Sequence, residues 1–381
     1  MRSFFSLVEA SLLKILVIVP QLPPLVNGVG DYSLTLAQQM FTRFGVTTHF
    51  IVCDPSYEFN LSINGISLEV LQDLSQESLS LSLDKSPRNS TVLLQFSGYG
   101  YAKWACPHWL VNGLQDWKNK NPEGYLLTMF HEVYNIMGKP WQHNFWVSGT
   151  QKQIASQLSI LSDICFTTTQ EYSKTLSELS KGKHLNPQVL SVFSNIGEPL
   201  DPSPISQRKR RLAVFGQHGT RRHAYIRSLS MLKNACETLE IDKIFDIGSP
   251  INMDLSKIDN LPPIVEVGRC DSQTVCEILS NSIAGFLDYD IRRLSKSGIF
   301  AAYCACGVLP VLHCGYSGIR DGLISGDHYW AANTSWIGNY SINSAQRIAS
   351  QANHWYSGHS IQIHADKIIN SFKKAEYKAR S

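Results

Sequence analysis

Between residues 14 and about 194, short apolar runs alternate with segments whose apolar residues recur at helical spacing. The runs at 15–19, 49–53, 91–96, 125–130 and 164–168 predict strands, and the spacing predicts helices from 32 onward and over 109–118 and 151–161. The pattern then repeats, with strands at 212–215, 243–247, 264–268, 283–287 and 309–312 and helices over 224–239, 272–280 and 298–305. Strands that are apolar along their whole length and alternate with helices call for a parallel sheet covered on both faces. The expectation is therefore an α/β chain of two Rossmann-like units, with ligands bound beyond the carboxyl ends of the strands. Residues 72–90, rich in Ser, Asp, Glu and Gln, read as a surface helix and loop, and 344–377 as a helical tail broken near Ser357-Gly358.

The first strand runs into a loop and then into Gly28-Val29-Gly30-Asp31-Tyr32, with Asp31 and Ser33 as residues that cap a helix start. Strand, glycines and helix N-terminus together predict an anion site, because first-turn N–H groups lack partners and the helix dipole favours negative charge there. Gly28, Gly30 and Asp31 are thus candidate phosphate-binding residues. Gly28-x-Gly30-x-x-Ser33 approaches the dinucleotide fingerprint, with Asp54 near the position of a ribose-binding acid, but residues 20–27 intervene between strand and glycines where that fingerprint has none. A plain glycine turn is the alternative.

A second strand-to-helix passage, Asp288 through Gly298, carries more charge. Lys296 can act as a point charge on a phosphate, Ser297 and Gly298 occupy cap and first-turn positions, and Arg292 and Arg293 stand close by. An ordinary serine cap is the competing account. Asp288-x-Asp290 has the form of a metal-binding D-x-D pair, but its place in the second of two similar units favours sugar-hydroxyl contacts or strand-end solvation. His131-Glu132 ends the strand at 125–130 and places a titratable pair at the ligand end of the first sheet. Trp104, Trp109, Trp141, His143 and Trp146 offer flat faces suited to sugars, although aromatic residues serve cores more often.

Composition narrows the classes. The chain has 381 residues, 43% of them hydrophobic and 17% charged, and 34 basic against 31 acidic residues give a formal charge of +3. That excess is too slight to imply a nucleic-acid partner. Nine cysteines, scattered and mostly in apolar runs, read as reduced thiols of a cytoplasmic protein rather than a disulfide framework. Cys304-Ala305-Cys306 lacks the spacer of a zinc pair, so no metal is expected. No apolar run reaches the length of a membrane span. Residues 1–13 lack a signal-peptide pattern, leaving a loosely ordered leader or a peripheral contact with the inner face of a membrane as the two readings.

Taken together, certain stretches resemble the retaining, metal-independent glycosyltransferases of the GT-B fold, in particular the large family four that includes many bacterial polysaccharide and lipid transferases. These are Pro23-Pro24 followed by Gly28-Val29-Gly30-Asp31-Tyr32 and Leu36-Ala37, then Phe130-His131-Glu132, Ser194-Asn195-Ile196-Gly197, and Ala302-Tyr303-Cys304-Ala305-Cys306-Gly307-Val308-Leu309-Pro310-Val311. The family pattern for the last is E-A-M-A-C-G-x-P-V. The resemblance spans residues 14–335 and implies an acceptor domain over 14–194, a proline-rich linker over 195–208, a nucleotide-sugar domain over 209–343, and a tail, 344–381, that packs back on the first domain. It implies a nucleotide-diphosphate sugar as donor substrate, a glycan, lipid or small molecule as acceptor, and no further cofactor. Catalytic roles fall to His131, Glu132 and Lys296. Donor or phosphate contacts fall to Gly28, Gly30, Asp31, Arg221, Arg222, Asp290, Ser297 and Gly298. Leu294 and Ala302 stand where the family carries two glutamates that contact donor sugar and ribose, so donor recognition must differ here. A silent sugar-nucleotide-binding subunit, a GT-B epimerase and an NAD-dependent oxidoreductase are the alternatives.

Overall fold

A computed structural model describes residues 13–25, 27–134, 143–313, 318–332 and 341–380, without the side chains of 143–146 and 374–380. Most of the leader, Trp141, the side chains of His143 and Trp146, and Cys314 lie outside the described residues. The chain divides into two compact units, residues 1–189 with 364–381, and residues 190–363.

The first unit contains β1 (Lys14–Val19), α1 (Gly28–Phe44), β2 (Thr47–Val52), β3 (Ile66–Val70), α2 (Gln76–Asp84), β4 (Thr91–Phe96), α3 (Gly98–Tyr101), α4 (His108–Lys120), β5 (Tyr125–Phe130), α5 (His143–Leu161), β6 (Ile164–Thr167), α6 (Gln170–Leu179) and β7 (Gln188–Val189). Its sheet has the order β3-β2-β1-β4-β5-β6-β7, with the paired strands parallel. Because helices cover both faces, the central strands are buried along their length, every residue of β4 included.

The second unit contains β8 (Lys209–Phe215), α7 (His218–Ile226), α8 (Leu229–Thr238), β9 (Lys243–Ile247), β10 (Ile264–Gly268), α9 (Ser272–Ser280), β11 (Ser282–Asp288), α10 (Gly298–Ala305), β12 (Leu309–His313), β13 (Trp330–Ala331) and α11 (Ile342–Ser357). Its parallel sheet has the order β10-β9-β8-β11-β12-β13. The last helix, α12 (Ile361–Arg380), begins in the second unit and from His364 onward belongs to the first. There Tyr32 bonds His364 Nδ1 at 2.8 Å inside the core, and Arg43 meets Asp366 at 3.1 Å.

In both sheets strand order reverses beside the first strand, between β1 and β4 and between β8 and β11. Those are switch points, where sheets of this kind bind ligands beyond the carboxyl ends of the strands. The residues expected to carry chemistry follow these strand ends.

Several elements differ from the sequence expectation, and three of the differences have a plain physical reason. Helix α1 starts at Gly28, not Tyr32, because Asn27 and not Asp31 or Ser33 is its cap. The helix expected over 224–239 is two helices, α7 and α8, parted at Arg227-Ser228. The edge strand β3 was not foreseen, since its residues are only partly buried.

Candidate functional site

In the first unit the loop after β1 is tied down by side chains. Gln21 Nε2 donates to Asp54 at 2.7 Å, and Asn27 donates to Gln21 Oε1 at 3.3 Å. Asn27 then caps α1, its Oδ1 accepting from the amides of Val29 at 2.9 Å and Gly30 at 3.2 Å. The cap engages part of the phosphate cradle expected at Gly28 and Gly30: the amides of Val29 and Gly30 already meet the Asn27 side-chain oxygen, and Asp31, its carboxyl pushed up by burial, occupies the same turn. Neither glycine has a positive φ. Gly30 serves close approach instead, since a Cβ there would lie 2.5 Å from the Gln21 carbonyl oxygen, whereas Gly28 faces open space.

His131, at the end of β5, is only 7% exposed. Its Nε2 lies 2.8 Å from Gln95 Oε1 on the adjacent strand β4, and its ring meets the edge of Tyr32 at 4.8 Å. Glu132 is half-buried and accepts from Ser97 Oγ at 3.3 Å. The first unit thus brings His131, Glu132 and the start of α1 to the same end of its sheet. Trp109 is part of the core edge, its Nε1 donating to the Tyr101 carbonyl at 3.3 Å, while Trp104 is exposed. An open groove of about 590 Å³ along α2 and α4, lined in part by Glu77, Asp84, Asp116 and Lys120, contains none of the candidate residues.

In the second unit β11 leads into a 3-10 helix, Ile291–Lys296, where the sequence suggested a loop, and then into α10. Ser297 caps α10, its Oγ accepting from the Phe300 amide at 3.2 Å, and Gly298 opens the helix with empty space where a Cβ would stand. The amides of Gly298 and Ile299 have no acceptor within the helix. Lys296 is half-buried immediately before this start. Asp290 caps the 3-10 helix and holds Arg292, Nη2 to Oδ2 at 2.6 Å. The Arg292 hydrogen bonds, acting against burial, keep its carboxyl below the usual range. Arg293 is exposed.

Arg221 is corrected as a diphosphate contact. Its side chain and that of Asp246 are each 1% exposed and ion-paired, Nε donating to Oδ2 at 3.2 Å and Nη2 to Oδ1. Its Nη1 donates to the Ser249 carbonyl at 2.5 Å, and Gly248, at φ 144°, leaves room for the guanidinium. Arg222 is exposed and makes no ion pair among the described residues. Leu294 and Ala302 are both 0% exposed, so the two positions that resemble family glutamates point into packed core.

Sequence reasoning missed a cluster at the ends of β11 and β12. Asp288 takes two hydrogen bonds from Arg227 and one from Ser228, and Ser228 Oγ lies 2.7 Å from His313 Nδ1. Asp288 stood out in the sequence through Asp288-x-Asp290, but nothing local linked it to Arg227, Ser228 or His313. Among the described residues, no group of three or more His, Cys, Asp or Glu could hold a metal ion, and no helix is long and apolar enough to cross a membrane. The eight described cysteines are free, but Cys106, Cys270 and Cys276 are partly exposed rather than buried.

The sequence matches no family model and no curated protein. Solved structures do match over nearly the whole chain. A provisional UDP-N-acetylglucosamine 2-epimerase from Listeria monocytogenes is 13% identical, with 97% of this chain and 98% of that one covered at a TM-score of 0.58. An alpha-glucosyltransferase in complex with UDP and a 13-mer DNA is 12% identical, with coverage of 96% and 100% at 0.53. The lipopolysaccharide outer core galactosyltransferase WaaB is 12% identical, with coverage of 96% and 99% at 0.50. At such identities the likeness establishes the fold: two parallel-sheet α/β units of the GT-B type with a C-terminal helix.

Proposed function

We propose that this chain is a retaining, metal-independent glycosyltransferase of the family-four kind, moving a hexose from a nucleotide-diphosphate sugar to a glycan, lipid or small-molecule acceptor. The observation that carries the reading is the start of α10. Beyond the strand next to the switch point of the second sheet, Ser297 caps a helix whose first amides have no acceptor within the helix and whose first residue, Gly298, has open space where a Cβ would stand, with Lys296 directly before it. Breaking the anomeric C–O bond leaves a negative diphosphate. Amides and a cation fixed around that oxygen lower the barrier by stabilising charge that grows in the transition state. We assign this work to Lys296, the amides at Gly298 and the exposed Arg222. His131, with Glu132 beside it, is assigned to the sugar and its acceptor, since a buried imidazole oriented by Gln95 offers a hydrogen bond of fixed direction.

Metal independence is supported by the state of the Asp288-x-Asp290 pair, both of whose carboxylates are already engaged by arginines. UDP is the donor nucleotide to test first, because a neighbour of like fold is described in complex with it. The same neighbour is described with DNA, but the near-neutral charge of this chain supports a glycan or lipid acceptor. A cytoplasmic setting in bacterial polysaccharide assembly, with contact to a membrane surface, belongs to the same proposal.

The test is a thermal-shift screen against nucleotide sugars followed by turnover of a radiolabelled donor with and without EDTA. A ligand that binds only the native state raises the melting temperature. Turnover that survives EDTA and keeps the anomeric configuration supports the reading; activity lost to EDTA and restored by manganese overturns it. The epimerase reading is favoured by the fold neighbour at a TM-score of 0.58 and would show as sugar isomerisation without acceptor. Closure of the Leu294 and Ala302 positions favours a silent binding subunit, which would bind donor without turnover.

A further inference from the structure

Asp288 and His313 are the last residues of β11 and β12 and stand in register as neighbours in the parallel ladder. Both side chains reach Ser228, which follows α7. Ser228 occupies the cap position of α8, yet its hydroxyl makes no cap hydrogen bond. It is turned instead to Asp288 Oδ2 at 2.6 Å and His313 Nδ1 at 2.7 Å, fully buried. A serine at a cap that forgoes capping gives up helix stability, so its diversion is a feature of the cluster.

Counting protons fixes the rest. Burial pushes the Asp288 carboxyl up, but hydrogen bonds from Arg227 and Ser228, with the charges of Arg227 and of His313, whose Nδ1 is 3.6 Å from Asp288 Oδ1, outweigh it and hold the carboxyl below its ordinary range. Asp288 is therefore an acceptor only, and the single Ser228 proton goes to it. The Ser228 oxygen is left to accept, which makes His313 Nδ1 a donor. In the neutral ring the other nitrogen, Nε2, then carries a lone pair. His313 makes no further hydrogen bond among the described residues, and its side chain is 21% exposed at the ligand end of the strand.

We propose that Asp288 and Ser228 are positioning residues that lock His313 in the Nδ1–H tautomer, so that His313 Nε2 accepts a hydrogen bond from a hydroxyl of the bound ligand. A lone pair selects a donor such as an alcohol and does not select a phosphate oxygen, which complements the anion chemistry at Ser297 and Gly298. The assignment of the ligand rests on the nucleotide-sugar reading, in which ribose and the transferred sugar are the two sources of such hydroxyls.

Two measurements test it. Long-range proton–nitrogen correlation on histidine-labelled protein, at a pH where the His313 ring is neutral, should show Nδ1 protonated. Ser228→Ala should release the lock so that Nε2–H appears, and Ser228→Thr should restore it. Affinity for UDP, 2′,3′-dideoxy-UDP and UDP-glucose is then compared between wild type and His313→Ala, with melting temperature as the check on folding. A weakening of about five- to tenfold is expected wherever the contacted hydroxyl is present. Loss for UDP but not for its dideoxy form assigns ribose; loss for UDP-glucose alone assigns the transferred sugar. An Nε2–H tautomer in the wild type, proton uptake by His313 on binding UDP, or unchanged affinities for all three with binding intact would overturn the inference alone. The nucleotide compared is whichever the wild type binds, UDP first; failure of the wild type to bind any nucleotide sugar in the thermal-shift screen overturns the nucleotide-sugar reading and this assignment together.

Discussion

Arg221 and Asp246 form a buried ion pair at the carboxyl end of β9, with Arg221 also bonded to the Ser249 carbonyl at 2.5 Å. An arginine used in this way braces the loops around the ligand end of the second sheet and, at 1% exposure, presents no donor at the surface where a diphosphate would bind. Arg221→Ala leaves the Asp246 carboxylate buried without its partner, and a broken buried pair costs about 3 to 5 kcal/mol. Urea unfolding should show that loss, while the double replacement Arg221→Met with Asp246→Leu should recover part of it. Unchanged stability with a weakened donor affinity would return Arg221 to the binding site.

The two glycines at the start of α1 should behave differently from each other. Gly28→Ala adds a methyl to open space in the first helical turn and should change stability by less than about 0.5 kcal/mol. Gly30→Ala sets a Cβ against the Gln21 carbonyl oxygen and Leu22 Cα, both backbone, and should destabilise by about 1 to 3 kcal/mol. Thermal unfolding of the two variants decides between this account and a phosphate-binding one, in which both would lower donor affinity and leave folding intact.

These glycines also show what the sequence displayed and what it withheld. The apolar runs that become β1, β4, β5 and β11 are buried on both faces, so composition alone reveals them. The serine cap at 297 was legible because cap and first turn are adjacent in sequence. Asn27 was as good a cap residue as Asp31, but only the approach of α1 to Gln21 decides between them. The partnership of Arg221 with Asp246 spans 25 residues and that of Arg227 with Asp288 spans 61, so no local pattern carries either. The break between α7 and α8 was hidden for a related reason: apolar periodicity runs through it, and the side chains that stop the helix are drawn away by the neighbouring strand end.

Cys276 should be the most reactive of the described thiols. Its Sγ lies 3.9 Å from that of Cys306, and the hydrogen bond from Cys306 pulls it down to about 6 against partial burial. Alkylation by iodoacetamide, read by mass spectrometry, should reach half its maximal rate near that pH. Cys306→Ala should move the midpoint up toward the ordinary thiol value of about 8.5. The sign for stability follows: over the window from about 6 up to the unfolded value the unfolded chain binds the extra proton, so this contribution is present at higher pH and is lost as pH falls through about 6. A wild-type midpoint at the ordinary value would dismiss the contact.

Lys296→Ala should cripple donor turnover while the protein stays folded. Of the three neighbouring cations, Arg292 is paired with Asp290 and Arg293 is exposed, whereas Lys296 is half-buried directly before the Ser297 cap. A lysine there stands beside amides that already favour an anion. If its ammonium meets the donor diphosphate, removing it takes away a charge-assisted contact worth about 1.5 to 3 kcal/mol. That corresponds to a loss of roughly ten- to hundredfold in donor affinity or in rate. The division is itself informative, because weaker donor binding at unchanged maximal rate means the contact is equal in ground and transition states, while a fall in maximal rate means it grows as the leaving group departs. Steady-state kinetics with varied donor, alongside a melting curve, separates the two. Unchanged kinetics in a folded variant would remove Lys296 from the site and leave Arg222, exposed in the middle of α7, as the cation to test in its place.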